Sequence, residues 1–565
     1  MRSKLFLLSF AAISLVFGAS ASGQSYAITN AKIVTVSGAT IDKGTVVIRN
    51  GIIHAVGANV QPPSDATVFD AAGATVYPGF VDTVTSLGIA APAAAPGGGG
   101  PGGGGGGQAA AAAAAAQPTS NSNYPAGLRP ELMIEESIRG GDAQFETNRN
   151  AGFTTALSTG RTGIFSGQSA VINLSGETAS ALILKSPFAQ HISFVTLGGG
   201  GGGGGGGYPG SLLGTFSALR QIFNDAKRLQ ENQKAYAADP RGMRRPEPDK
   251  SLEALFPVLN RQMPVVFSAN SEVEIIRALD LMKEYNLVAL IAGGQEAWKV
   301  TDRLKAQNVP VLLSLNFPKR TAAASPDADP EPLAVLRFRA DVPKAASKLA
   351  AAGVKFAFTS GGATAMADFF TNAGKAVENG LSRDAAIRAM TLGAAEILGV
   401  DNRVGSIETG KIANLVVVKG DLFGRDKFAS HVFVDGRVFE QKEAVRPTPG
   451  GRSGGPGGQG AGTPAAANFG GTYSITIDIP GQPLQATLNL TQQENTITGT
   501  MVSPLGTSPI VNGRATATGF SFGATVQFGG ANIDITVQAT VTGNQLVGTI
   551  DSPQGSVAVT GTKNP

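Results

Sequence analysis

The sequence predicts an α/β fold class: a (β/α)8 TIM barrel, a composite β-sandwich from both chain ends, and a C-terminal all-β domain. Short β-rich segments flank a long middle region in which strands alternate with amphipathic helices. Near the C-terminus, a strict alternation of apolar and polar residues replaces this pattern. The 565 residues also exceed the ~250–300 at which a single hydrophobic core stops growing, so several domains are expected.

The N-terminal residues predict a secretory signal peptide over residues 1–21. The basic residues Arg2 and Lys4 precede an apolar stretch that leads to Ala19-Ser20-Ala21, a small-residue cleavage signal. The apolar stretch is shorter than the ~20 residues of a membrane-spanning helix, which favours cleavage over a transmembrane anchor. We therefore expect an exported protein, periplasmic or extracellular, with no transmembrane segment in the mature chain.

Two β-rich regions, residues 22–75 and 402–445, predict a composite β-sandwich. Each contains a two-residue sequence that favours a tight hairpin turn, Asn50-Gly51 in the first region and Asp435-Gly436 in the second. Both regions are too short to bury a core alone, so we expect their strands to pair although a long middle region separates them.

Residues 76–401 predict the TIM barrel. Short apolar segments such as PVVFSAN and LVALIAGG alternate with amphipathic helices such as SEVEIIRALDLMKEY. A barrel of this type needs ~250 residues, which leaves room for insertions. The glycine-rich runs 97–107 and 198–207 are predicted to be such insertions, in the form of flexible surface loops. A phosphate-binding loop is disfavoured because no Lys-Ser/Thr pair follows either run.

The last part of the chain predicts a separate domain. Residues 446–465 have the glycine and proline content of a linker, and residues 466–565 alternate like an antiparallel β barrel or sandwich. Three roles remain open for this domain: it binds an apolar ligand inside, it attaches to a surface, or it is a packed spacer.

Three motifs carry a resemblance to a known family. They are YPGFVDT at residues 77–83, GGQEAW at residues 293–298, and VGSIETGKIANL at residues 404–415. Together they resemble the amidohydrolase superfamily, and most closely its exported, imidazolonepropionase-like members, over about residues 26–445. The resemblance implies a barrel that holds one or two divalent metals, such as zinc, and hydrolyses cyclic amides and related C–N bonds. A metal of this kind lowers the pKa of a bound water.

The metal-ligand positions of that family are substituted in this chain. By the resemblance, the His-x-His pair after the first strand falls on Val84 and Ser86, and the later histidines fall on Ser268 and near Gly293. The terminal aspartate falls on Ser360. The metal-bridging lysine would fall near Asn173 or Lys185, and Asn414 stands where the family usually has aspartate.

The composition limits how this site could be replaced. The chain has no cysteine and three histidines, His54, His191 and His431, which excludes a centre with four histidine ligands. We therefore expect no cofactor and no metal, and we assign no catalytic residue. The candidates for a rebuilt site are Lys185, His191 and Glu296, although a surface or loop position is the favoured interpretation of His191. The serines at 268 and 360 lack a base that any motif places beside them.

Three functional hypotheses follow. The favoured one is an exported amidohydrolase-superfamily protein without metal-dependent catalysis, which binds a small-molecule ligand or scaffolds a partner such as an intact amidohydrolase relative. The alternative is a hydrolase of non-peptide C–N bonds, in cyclic amides or N-acyl substrates, with a rebuilt site. The third is a surface-interaction protein whose C-terminal domain is the functional part. No nucleic-acid partner is expected, because the net charge of +4 comes without a basic stripe.

Overall fold

A computed structural model describes residues 25–89, 127–196, 209–320, 331–361, 366–424, 426–441, 469–477, 484–493, 496–504, 506–515, 519–528, 531–552 and 555–564. The chain divides into two compact units, the first containing the described residues up to 441 and the second those from 469 onward. The predicted signal peptide, glycine-rich insertions and linker lie outside the described residues. No helix in the described part of the chain has the length and hydrophobicity needed to cross a membrane.

The first unit contains eighteen of the strands found in these ranges. They are β1 (Ser25–Ile33), β2 (Ile41–Arg49), β3 (Ile52–Gly57), β4 (Thr67–Asp70), β5 (Thr75–Pro78), β6 (Phe80–Thr85), β7 (Phe153–Ser158), β8 (Phe165–Gln168), β9 (Ala170–Asn173), β10 (Ile183–Lys185), β11 (Gln190–Ser193), β12 (Val265–Ala269), β13 (Ala289–Gly293), β14 (Val311–Ser314), β15 (Phe356–Thr359), β16 (Leu415–Lys419), β17 (Phe428–Val434) and β18 (Arg437–Glu440).

The α-helices of the described ranges also lie in the first unit. They are α1 (Glu146–Ala151), α2 (Ala179–Leu182), α3 (Leu212–Ala238), α4 (Lys250–Glu253), α5 (Phe256–Leu259), α6 (Glu272–Tyr285), α7 (Thr301–Ala306), α8 (Leu333–Asp341), α9 (Ala345–Ala352), α10 (Met366–Glu378), α11 (Arg383–Met390) and α12 (Leu392–Leu398). Local sequence explains their ends: α6 begins with a Ser271–Glu274 capping box and ends at Asn286, whose backbone is left-handed.

Strands from both ends of the chain form one composite sheet, as predicted. Its order is β18-β17-β16-β5-β1-β2-β3, and β4 pairs with β1. The two ends meet where β16 pairs antiparallel with β5, with Leu415 opposite Pro78. Both predicted hairpin turns have positive φ at their two central residues, 52° and 79° at Asn50-Gly51 and 53° and 73° at Asp435-Gly436.

The barrel wall contains seven parallel strands, β6, β7 and β11 to β15, and it confirms the predicted fold class. Between β7 and β11 the wall is filled by the antiparallel run β8–β9, which pairs with β11 through β8 and with β7 through β9. The cause is the short connection between residues 158 and 165, because a parallel return needs about a dozen residues or more. The wall closes between β6 and β15, where the Thr83 hydroxyl donates to Phe358 O at 3.0 Å.

The barrel interior is packed rather than hollow over most of its height. Alternate strand residues such as Val81, Leu157, Val266 and Leu312 form one buried cluster. Leu398 and Val404, which end α12 and follow it, belong to the same cluster and close the end of the barrel at which the parallel strands begin. The strand residues that alternate with these point outward and pack against the helices.

The second unit is a closed barrel of eight antiparallel strands with one short additional strand. Its strands are β19 (Gly471–Ile477), β20 (Leu484–Gln493), β21 (Thr496–Ser503), β22 (Gly506–Pro509), β23 (Val511–Ala515), β24 (Gly519–Phe528), β25 (Ala531–Thr542), β26 (Gln545–Ser552) and β27 (Gly555–Lys563). The pairing of β20 with β21 closes the sheet, and β22 pairs with β21 outside the ring. Fully buried Tyr473, Phe520 and Phe522 occupy its interior. The Tyr473 hydroxyl donates to Phe469 O at 3.0 Å.

Candidate functional site

A cavity of about 190 Å³ lies at the end of the TIM barrel where its parallel strands finish. This is the end at which barrels of this fold carry their active sites. We call this cavity and its lining residues the barrel mouth. The lining residues come from β6, β11 and β12, from β8, and from the loop after β7; they are Val84, Thr159, Gly160, Arg161, Thr162, Gly163, Ser166, His191, Ser193, Val195 and Ser268.

The barrel mouth brings together two of the substituted family positions, Val84 on β6 and Ser268 on β12. Ser86 follows β6, and its backbone oxygen lies 3.4 Å from Arg161 Nη2. Gly293 ends β13 with a φ of 96°, and a Cβ there would lie only 2.3 Å from Asn270 Oδ1. A histidine at position 293 would therefore require the Asn270 side chain to move and would place a non-glycine residue at a positive φ.

The fifth substituted position, Ser360, is bonded to the first barrel strand. Its backbone N–H donates to Asp82 Oδ1 at 2.9 Å, and the Thr359 hydroxyl donates to the same oxygen at 2.9 Å. Asp82 is fully buried, and burial raises the pKa of its carboxyl, while the Ser360 hydroxyl and N–H act in the opposite direction. This contact joins β6 to β15 and uses Ser360 to close the barrel wall.

His191 is a buried residue of the barrel mouth and neither a surface nor a loop histidine. It lies on β11 opposite Val266 of β12 and is only 2% exposed. Burial lowers its pKa to about 3, so the imidazole is neutral at pH 7. Its Nε2 atom is buried and has no hydrogen-bond partner among the described residues. Such a ring can donate or accept one hydrogen bond there but is a weak base.

Further polar groups surround His191. The hydroxyl of Thr159, which is 6% exposed, is also buried without a hydrogen-bond partner in the described part of the chain. Ser166, Ser193 and Ser268 add hydroxyl groups to the same lining. Arg161 is an exposed residue of this lining, and its Nη2 atom lies 3.4 Å from both Ser86 O and Ile89 O. The described lining of the barrel mouth is thus polar, and Arg161 is the residue in it that carries a formal charge.

The structure does not assemble the rebuilt site of Lys185, His191 and Glu296, because neither Lys185 nor Glu296 lines the barrel mouth. Lys185 Nζ donates to Leu398 O at 3.1 Å, beside the end of α12 that closes the barrel. The Glu296 carboxylate accepts the N–H of Glu272 at 2.8 Å and pairs with Lys299 Nζ at 2.7 Å. Backbone and ion-pair contacts hold these two groups away from His191.

Asn173 is the other position considered for the bridging lysine, and it lies far from the mouth. It ends the antiparallel strand β9 and stands opposite Thr155 near the start of β7, whereas Ala170 stands opposite Ser158 at the end of β7. An antiparallel strand finishes at the closed end of the barrel, which the motif spacing alone did not reveal. The side chain of Asn173 accepts a hydrogen bond from Asn414 at 2.8 Å.

The remaining histidines belong to the composite sheet. His54 is exposed on β3. His431 lies on β17, where its ring packs against Phe69 at a centroid distance of 5.0 Å. Neither contributes to the barrel mouth.

The residues at the family's ligand positions do not fit a water-activating divalent metal. Such a metal takes imidazole, carboxylate or thiolate ligands, whereas these positions carry valine, glycine and three serines. Within the described ranges, no three His, Cys, Asp or Glu residues are grouped so that they could hold a metal ion. We therefore derive no chemical step through a metal.

Sequence reasoning missed Thr159, Arg161, Ser166 and Ser193. A signal existed for Ser193, because it follows His191 by two residues and so faces the same side of β11. The polar run TGRTG directly after the apolar strand β7 was a second signal, since strand ends of a barrel carry its site. The contribution of β8 could not be read from the sequence, because it depends on an antiparallel insertion in a parallel wall.

Comparison with known proteins supports the predicted resemblance. Residues 330–443 match the model of the amidohydrolase family. The structure is similar to that of an amidohydrolase from Thermotoga maritima MSB8, with 23% identity and a TM-score of 0.57 over 74% of this chain and 100% of that chain. A Xaa-Pro dipeptidase with bound methionine aligns over 74% of this chain and 100% of its own, with 17% identity and a TM-score of 0.45.

An adenosine deaminase from Xanthomonas campestris with bound zinc aligns over 74% of this chain and 92% of its own, with 16% identity and a TM-score of 0.38. No curated protein sequence matches the chain. The resemblance to the amidohydrolase superfamily is confirmed by the family match and by the shared fold. At these identities the likeness to solved structures concerns the fold, and function has to be argued from the site.

Proposed function

We propose that this amidohydrolase-fold chain is an exported protein that binds a small molecule in its barrel mouth without metal-dependent hydrolysis. One observation carries the proposal: all five ligand positions implied by the family resemblance lack an imidazole or a carboxylate. Val84 and Ser268 line the cavity, Ser360 bonds to Asp82 through its backbone, and a Cβ at Gly293 would collide with the Asn270 side chain.

The chemistry of hydrolysis supports this proposal. An amide or lactam is attacked at neutral pH only by an activated nucleophile, which these enzymes obtain by lowering the pKa of a metal-bound water. The barrel mouth offers hydroxyl groups and one imidazole whose pKa is about 3. A general base is effective when its pKa lies near the working pH, so this imidazole is poorly suited to activate a serine or a water.

The test combines metal analysis with turnover measurements on untagged protein. We expect zinc, manganese and iron each well below one equivalent, and no turnover of N-acyl amino acids, dipeptides, hydantoins or lactams, with or without added metal. One equivalent of tightly bound metal at the barrel mouth, or turnover abolished by a chelator, would overturn the proposal.

One observation favours a second candidate, a hydrolase of non-peptide C–N bonds. His191 and the hydroxyls of Ser193 and Ser268 line the same cavity. An activated serine requires a hydrogen bond between its hydroxyl and the base. His191 Nε2 makes no such bond to either serine in this structure. Turnover that survives chelation and disappears in both His191→Ala and Ser268→Ala would establish this candidate in place of the first.

Export is part of the proposal and has its own test. The basic start, the apolar stretch and the cleavage signal at residues 19–21 support it. We expect the full-length protein in the periplasmic or secreted fraction, beginning near Ser22, and we expect Ala21→Arg to retain the uncleaved form. Cytoplasmic protein with an intact N-terminus would contradict export and leave the ligand-binding proposal unaffected.

A partner-scaffolding role is the remaining form of the first hypothesis. If the purified protein binds none of the small molecules tested but changes the kcat or KM of a histidine-bearing amidohydrolase relative, the scaffold role replaces ligand binding. Unchanged kinetics of that relative would exclude it.

A further inference from the structure

We propose that the barrel mouth binds a small organic monocarboxylate, with its carboxylate at Arg161 and its other polar end at His191 and Thr159. The inference rests on the ligand-binding function proposed above and specifies the chemical class of the ligand. Three independent features of the cavity lead to it: the buried polar atoms of its wall, the positive charge of Arg161 in its described lining, and its volume.

The first feature is a pair of buried polar atoms that lack partners within the described residues. They are Thr159 Oγ1 and His191 Nε2, on side chains that are 6% and 2% exposed and line one cavity. Buried polar atoms in folded proteins are hydrogen-bonded in the large majority of cases. A ligand in the cavity that hydrogen-bonds to Thr159 Oγ1 and His191 Nε2 would give both atoms the partners that they lack among the described residues.

The second feature is the charge of the lining. Arg161 is the charged residue of the barrel mouth, and no carboxylate side chain is among the lining residues. Its guanidinium contacts two backbone oxygens at 3.4 Å, and among the described residues it forms no salt bridge. A guanidinium presents paired N–H donors that match the two oxygens of a carboxylate. The cavity thus favours an anion over a neutral or cationic ligand.

The third feature is size. The cavity holds about 190 Å³, below the ~300–1,000 Å³ typical of pockets for drug-sized ligands. Its wall also contains the apolar side chains of Val84 and Val195 and the hydroxyls of Ser193 and Ser268. These dimensions suit a compact acid with one further polar group and a short apolar part.

The probes are N-acetylglycine and its neutral counterpart N-acetylglycinamide, which differ only in the charge of the end group, together with longer N-acetyl amino acids and their amides. Binding is measured by calorimetry on the full mature chain at pH 7. We expect the acid of each pair to bind about tenfold or more tightly than the amide, because a charge-assisted bidentate contact replaces a neutral one.

Three variants locate the contacts. Arg161→Gln should reduce the preference for the acid to within about twofold, because the charge-assisted contact is removed. Thr159→Val should weaken acid and amide equally. Arg139→Gln is the matched control, because Arg139 is an exposed arginine whose guanidinium also contacts backbone oxygens, at Glu136 and Ile138; it should leave binding unchanged.

The outcomes separate this inference from the function on which it rests. Equal binding of acid and amide, unaffected by Arg161→Gln, would overturn the carboxylate assignment while ligand binding stands. Absence of binding by every acid in the series would also overturn the assignment. Metal-dependent or chelation-resistant turnover of the acids would instead overturn the non-hydrolytic function, whatever their affinity.

Discussion

Two clusters of buried polar residues, one at each end of the TIM barrel, differ in how their side chains are hydrogen-bonded. At the closed end, Thr155, Asn173 and Asn414 form what we call the floor cluster. The Asn414 amide donates to Asn173 Oδ1 at 2.8 Å and lies 3.1 Å from Thr155 Oγ1, and its oxygen accepts the Asp435 N–H at 2.9 Å. At the open end, Thr159 Oγ1 and His191 Nε2 are buried with no partner among the described residues.

The difference predicts that substitutions in the floor cluster lower the free energy of unfolding more than substitutions of the unpaired groups at the open end. A paired buried amide contributes to stability, whereas an unpaired buried polar atom costs about 1–3 kcal/mol. Asn414 connects the turn at Asp435 in the composite sheet to two barrel strands, so its hydrogen bonds hold these two parts of the first unit together. Substitutions at the two ends should therefore have opposite consequences.

The largest effect is expected for Asn414→Asp, which introduces the residue usual in the family. A carboxylate still accepts the Asp435 N–H, but it cannot donate to Asn173 Oδ1 and brings a negative charge into a buried site, so the free energy of unfolding should fall by about 2–4 kcal/mol. Chemical denaturation of the first unit at pH 7 measures this. Asn402→Asp, at an exposed position, is the matched control and should change little. Equal stability of Asn414→Asp and the wild type would show that the floor cluster does not stabilise the fold.

The second effect concerns His191 and pH. Its folded pKa is about 3, below the ~6.5 of an unfolded histidine, so between these values the unfolded chain binds a proton that the folded chain does not. Stability should therefore fall by about 1.4 kcal/mol for each pH unit below 6.5, until the pH approaches the folded pKa.

His191→Asn should remove this component, so that the stability difference between variant and wild type changes with pH between 6.5 and 4. His54→Asn, at an exposed position on β3, is the matched control for replacing a histidine with asparagine. Parallel curves for His191→Asn and the wild type would contradict the neutral, buried state of this imidazole.

A smaller effect is expected for Lys185→Met at the closed end. The substitution removes the hydrogen bond from Lys185 Nζ to Leu398 O and should lower the unfolding free energy by about 1 kcal/mol. Ligand binding should not change, because Lys185 does not line the barrel mouth. Lys43→Met, at an exposed position, is the control. Loss of binding or turnover without loss of stability would show that Lys185 belongs to the functional site.

The smallest change in stability is expected for Thr159→Val at the open end. Because the hydroxyl is unpaired, its replacement by a methyl group should leave the unfolding free energy within about 0.5 kcal/mol of the wild type, or raise it. The same substitution at the floor, Thr155→Val, removes a hydrogen-bonded hydroxyl and should cost about 1 kcal/mol. Equal costs at both sites would mean that the two ends of the barrel do not differ as described.

Much of the architecture was predictable because its signals are local. The turns Asn50-Gly51 and Asp435-Gly436, the helical spacing in α6 and the alternation in β20 each depend on a few consecutive residues. The candidate site was predictable only in part. The positions of Val84 and Ser268 followed from the family motifs, whereas Thr159 and Arg161 have no motif and reach the cavity through the loop after β7.

The three candidates for a rebuilt site show why residue type alone was insufficient. In the sequence, Lys185 is a candidate for the bridging lysine, His191 is the histidine outside the composite sheet, and Glu296 is a carboxylate of the GGQEAW motif. Of these three residues, His191 lines the barrel mouth. Lys185 Nζ donates to Leu398 O. The Glu296 carboxylate pairs with Lys299 and accepts the N–H of Glu272 at the start of α6. The direction of a side chain depends on which face of its strand the residue lies on and on the groups that compete for its hydrogen bonds. The packing of the whole molecule decides both.

By itself the sequence determined the fold class, the contribution of both chain ends to one sheet, and the lack of metal-binding side chains at the family positions. These features depend on periodicity, turn residues and residue chemistry, each of which a few consecutive residues specify. Only the tertiary structure decided that β8–β9 enters the barrel wall antiparallel, that Asn173 consequently lies at the closed end, and that His191 and Ser268, on neighbouring strands, line one cavity. Strand pairing and burial bring together residues distant in sequence, and the pKa of His191 and the unpaired state of its Nε2 exist only in that packed environment.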